Sequence, residues 1–110
     1  MNLKDLAAQY FSAFSEKNIE AVKKFFSEDV ILRDWEISAN GLEDVVKANQ
    51  SIFDVVETIH VNPLEIYQDG HTVSAELKIT VNGNEELLVV DVIDFDDNQK
   101  IKAIRAYKGN

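Results

Sequence analysis

Cysteine is absent from the 110-residue chain, which excludes disulfides, thiolate catalysis and cysteine-ligated zinc. Histidine is nearly absent. The chain has only His60 and His71, both flanking turn or bulge positions, so no metal site is expected. Basic residues are scarce too: 11 Lys and Arg against 20 Asp and Glu leave a formal charge of -9. Such a surface repels phosphate backbones and anionic lipid, which argues against nucleic acid and membrane partners. No apolar run is long enough to span a bilayer. The opening MNLKDLAAQYF lacks the basic and continuously apolar segments of a signal peptide, so a cytoplasmic location is expected. Proline occurs once, at Pro63, and no segment is of low complexity.

What remains is an ordinary globular composition, 45% hydrophobic and 28% charged, over a length that suits one domain, residues 1–110. From Leu3, apolar residues fall at Leu6, Ala7, Tyr10 and Phe14, the spacing of a helix with one buried face, and Asn2 suits its cap. Asn18 can cap a second, shorter helix carrying Ile19, Val22, Phe25 and Phe26. The run VILRDWEI is rich in β-branched and aromatic residues and is expected to be a strand ending before SANG. Gly41 starts a third helix, whose apolar stripe contains one odd member, Asn49.

After that helix the period changes to alternation. The segments ETIHVNPLEIYQ, TVSAELKITV, EELLVVDVIDF and KIKAIRAYK are separated by Asp69-Gly70, by NGN and by DDNQ, all turn chemistry that favours an antiparallel meander. Pro63 cannot donate to a ladder and marks a bulge or an edge. Helices first and a curled antiparallel sheet afterwards make an α+β domain, with the helices on one face of the sheet. TVSAELKITV is dry on one side only, whereas EELLVVDVIDF is apolar on both. The second face calls for cover, and a homodimer through the sheet's outer face is expected.

Alternation puts Asp91 on the face of Leu87, Val89, Ile93 and Phe95, and Asp34 on that of Val30 and Leu32. Tyr10 and Asn49 lie on the apolar stripes of their helices. Four polar groups thus point toward one core. A buried carboxylate is costly unless it is paired, protonated or used, and desolvation raises its pKa toward the range of a general base or a neutral donor. Plainer readings exist for all four, and for Asp91 it is a bulge in its strand that turns it outward. Tyr10 also suits a core position with its hydroxyl at the edge, Asn49 a bond to a strand carbonyl, and Asp34 a pairing with Arg105. Asp94, Asp96 and Asp97 read as turn and surface residues.

The order of elements resembles the NTF2-like superfamily, whose fold is a cystatin-like cone of three N-terminal helices packed on a curved antiparallel β-sheet. AAQYFSAFSEKNIEAVKKFFSEDVIL is similar to its opening helix pair and first strand, and NGLEDVV to its Gly-initiated third helix. VVDVIDFDDNQKIKAIRAY resembles the last hairpin of the SnoaL-like branch. Of the catalytic members, the ketosteroid isomerase branch compares most closely. That resemblance implies Tyr10 and a protonated Asp91 as donors to an enolate oxygen, and Asp34 as the base. Asn49, Trp35, Phe14, Phe53 and Val89 are then expected to line the substrate site.

The implied activity is cofactor-independent proton transfer α to a carbonyl of a small apolar molecule. This chain departs from the isomerases at Trp35, where they carry a proline after the base. Resemblance to the SnoaL-type cyclases would instead make Asp91 the base. A limonene-type epoxide hydrolase would require Asp34, Arg105 and Asp91 around a water. Non-catalytic binding of a small apolar ligand, or a protein-interaction role like that of nuclear transport factor, suits the same fold.

Overall fold

The side chains that begin the first two helices each pair an amide of the first turn. In the computed structural model, which describes residues 2–109, Asn2 accepts the backbone N–H of Asp5 at 2.8 Å and opens α1 (Leu3–Ser15). Asn18 does the same for α2 (Ile19–Lys23), accepting from Ala21 N–H at 3.1 Å. The chain continues as β1 (Phe26–Arg33), β2 (Ser38–Asn40), α3 (Leu42–Val55), β3 (Ile59–Asp69), β4 (Thr72–Val81), β5 (Glu85–Phe95) and β6 (Ile101–Lys108). Gly41 is the N-cap of α3, with a φ of 89° that only glycine adopts without strain. Among the described residues no helix is long and apolar enough to cross a membrane.

The strands form one sheet in the order β2, β1, β6, β5, β4, β3. β3 to β6 are the expected antiparallel meander. Pro63 lies on edge strand β3 at a register shift before Glu65, where its missing N–H costs the ladder nothing. Three expectations need correction. Phe25 and Phe26 do not extend α2: Phe26 begins β1 and pairs with Ile101, whose N–H donates to Phe25 O at 2.7 Å. β1 lies parallel to β6, so the sheet is mixed at that side. The strand read over VILRDWEI ends at Arg33, and residues 34–37 form a turn into the short antiparallel β2.

α1 packs on β3 and α3 on β1, both over the inward face of the sheet. At one end that space is filled by Phe11, Ile93, Phe95, Ile101, Val30 and Val73, all buried. Ser15 ties α1 to β3 by accepting Val61 N–H at 2.8 Å while donating to Phe11 O. The link from α3 to β3 is held from two sides. Lys17 Nζ donates to Val56 O at 2.7 Å and to Glu57 O, favourable for a cation at a helix C-terminus. Asn82 Oδ1 accepts the N–H groups of Glu57 and Thr58 at 2.7 and 3.1 Å.

On the outer face of the sheet, Arg105 forms an ion pair with Asp94 at 2.7 Å, and Thr72 donates to the same carboxylate. Asp94 is therefore a paired strand residue and not a turn residue. Asp96 does serve the turn, accepting from the N–H groups of Asn98 and Lys100.

Candidate active site

Along β5 the inward residues run Phe95, Ile93, Asp91, Val89, Leu87. The first two are fully packed, and from Asp91 onward they face a cavity of about 240 Å³. Cross-strand register explains why space opens there. Asp91 is paired with Ala75 on β4 and Ala106 on β6, so the carboxylate is flanked by two methyl groups where larger side chains would close the gap. Asp91 is the floor of the cavity. Its partly exposed lining residues Trp35, Val56, Val81 and Leu87 mark the open end.

Tyr10 enters from α1. Its ring is clamped by Phe11, Phe14, Phe25 and Phe26 at centroid distances of 5.7, 6.1, 5.9 and 5.8 Å. Such tilted and edge contacts fix the ring plane and hence the line along which the hydroxyl points. Burial, and secondly the charge of Asp91, push the Tyr10 hydroxyl far above the ordinary tyrosine range, so it stays a neutral donor. Asp91 is pushed up to about 7, first by burial and then by the charge of Asp34. The residue is half-buried and lines the cavity, whose walls are mostly apolar. Among the described residues no cation offsets it: Arg105, opposite Val92, lies on the other face of the sheet with Asp94.

Asp34 also lines the cavity, although not as a strand residue. Its Oδ1 accepts the N–H groups of Glu36 and Ile37 at 2.7 and 2.6 Å and closes the turn after β1. The structure thus brings Tyr10, Asp34 and Asp91 to one cavity, together with Asn49, Trp35, Phe14 and Val89. It does not bring Phe53, which is buried behind Phe14 at a centroid distance of 4.9 Å and forms core, not lining. An Asp34–Arg105–Asp91 set is also ruled out, since Arg105 points away. Sequence reasoning missed Ile52, Val56, Ile59, Leu77 and Ile79 in the wall. Their alternating or helical spacing marked them as inward-facing but not as bordering open space.

The model of the SnoaL-like domain family matches residues 7–104. No curated protein matches the sequence. Solved structures share the fold throughout. An NTF2-like protein of unknown function from Cytophaga hutchinsonii superposes with a TM-score of 0.84 over 99% of this chain and 91% of its own, at 16% identity. A Kribbella flavida protein provisionally assigned as a ketosteroid isomerase gives 0.85 over 98% and 78%, at 18% identity. An LEH-like epoxide hydrolase of M. tuberculosis gives 0.84 over 97% and 82%, at 16% identity. The fold is NTF2-like, and likeness at these identities extends to the fold alone.

Proposed function

The chain belongs to the SnoaL-like domain family, and on that footing we propose that it is a cofactor-independent enzyme moving a proton α to a carbonyl of a small, mostly apolar molecule. The observation that carries this reading is Asp91, an uncompensated carboxyl on the floor of an apolar cavity that Tyr10 also lines. Apolar packing would be more stable there, so the group is retained for use. In its protonated form Asp91 donates alongside Tyr10 to the oxygen of an enolate, a charge that hydrogen bonds in a water-poor site stabilise strongly. Asp34 takes the proton. At about 240 Å³ the space is below the roughly 300–1,000 Å³ usual for drug-sized ligands, which favours a one- or two-ring substrate.

A second reading, non-catalytic binding of such a molecule, draws on one observation: Oδ1 of Asp34 is already engaged by two backbone amides, so the residue has a structural use in the turn without any catalytic one. Both readings share the Tyr10–Asp91 end of the cavity, and naphthol, whose ionised form resembles an enolate, tests it. Fluorescence titration is expected to show bound naphtholate, with Tyr10→Phe and Asp91→Asn each weakening it about tenfold or more. Affinity for the anion should fall as pH rises above 7, where Asp91 ionises. No binding, or binding indifferent to both substitutions, would reject the assignment.

The outer face of the sheet supports a homodimer. Leu88 and Val90 of β5 are 46% and 38% exposed, beside exposed Tyr107. Sedimentation equilibrium at micromolar concentration is expected to give a dimer that Val90→Lys dissociates; a parent protein that sediments as a monomer would dismiss this interface.

A further inference from the structure

Asn49 interrupts the buried stripe of α3, between Val45 and Phe53, and is itself 2% exposed. Among the described residues its Nδ2 is the one buried side-chain nitrogen or oxygen with no hydrogen-bond partner. An orphaned amide in an apolar wall forfeits the hydrogen bonds it made to water, a loss that leucine, branched alike though larger, would not incur. Asn49 does not serve the fold as a cap or tie, as Asn2, Asn18 and Asn82 do. It does line the cavity. Half a turn of the carboxamide exchanges Nδ2 with Oδ1, so the N–H pair can be aimed from the wall into the cavity when an acceptor arrives there.

Tyr10, Asp91 and Asn49 belong to three different elements, α1, β5 and α3, that enclose the same space. Tyr10 and Asp91 hold one oxygen. We infer that Asn49 determines specificity by donating a hydrogen bond to a second oxygen of the ligand. The substrate class is then a small ring compound with two oxygen functions, one at the Tyr10–Asp91 floor and one on the α3 side. The inference rests on the proposed use of that floor. It adds a requirement which a one-oxygen compound fails, because such a compound leaves Asn49 unpaired.

The test compares naphthol with the set of dihydroxynaphthalenes, whose second hydroxyl steps around the rings, in the parent protein, Asn49→Leu and Asn49→Ala. At least one isomer is expected to bind about tenfold more tightly than naphthol to the parent. That gain should vanish in both variants, while their affinity for naphthol itself changes by no more than about twofold in Asn49→Leu. Asn49→Ala keeps the comparison readable if the leucine variant does not fold. If naphthol binds and no isomer improves on it, or if the gain survives both substitutions, the role of Asn49 is overturned while the floor assignment stands. If naphthol does not bind at all, both fall.

Discussion

Asp91→Asn is expected to stabilise the protein at about pH 8 by on the order of 3–4 kcal/mol and to change its stability little at about pH 4. The carboxyl is held near 7 in the folded chain, first by burial and then by the charge of Asp34, whereas in the unfolded chain it titrates near the ordinary value of about 4. Between these values the native state keeps a proton that the unfolded chain has released. Stability is therefore fully present below the unfolded value and is lost as pH rises through 7. Asparagine has the same shape and no charge to desolvate, so its variant should lack that slope. Asp94 runs the other way: its ion pair with Arg105 lowers its pKa, and its contribution is lost only as pH falls. Urea denaturation of both proteins across pH isolates Asp91, because Asp94 cancels in the difference. Parallel curves would mean that Asp91 is solvated or paired in solution.

Asp34→Asn should lower turnover of a ketone substrate about 10²–10⁴-fold, the usual worth of a positioned general base. The turn after β1 should survive, since an asparagine Oδ1 can still accept from Glu36 and Ile37. Naphthol binding should persist at a pH low enough to keep Asp91 protonated. The substitution also removes the second cause of the raised pKa of Asp91, which should move down toward the ordinary carboxylate range. Carboxyl carbon titration by nuclear magnetic resonance reads that shift without any substrate. Loss of binding and turnover in equal measure would deny Asp34 the role of base, and unchanged turnover would transfer that role to Asp91.

The sequence was most readable where neighbours in the chain are neighbours in space. The stripes of α1 and α3, and the alternation of β4 and β5, could be read directly because periodicity reports which side is dry. β4 and β5 pair without a register shift from Thr72 with Asp94 to Val81 with Glu85, so counting residues was enough to turn Asp91 inward. Phe25 and Phe26 were misread because an apolar pair suits a helix stripe as well as a strand start. Pairing with Ile101, far along the chain, decides between them. Asp34 sits amid strand-forming residues, yet its side chain captures two backbone amides and ends the ladder, a local competition that a β-propensity reading overlooks. Phe53 shows a further limit. Helical spacing tells inward from outward, but core and cavity lining look alike until the volume between elements is known.

The parallel pairing of β1 with β6 has a consequence for how the protein comes to exist. β1 has only the short β2 on its other side, so the edge of the sheet that leads into Asp34 cannot form until β6 is available. Contacts of such large sequence separation slow folding and make it depend on the whole chain. During synthesis β1 must wait, its edge toward β6 unpaired, until β6 has been made. The side of the cavity that Asp34 lines is therefore completed only once β6 pairs with β1, and a chain halted before Ile101 would carry the Tyr10 and Asp91 side chains without the frame that brings Asp34 to them.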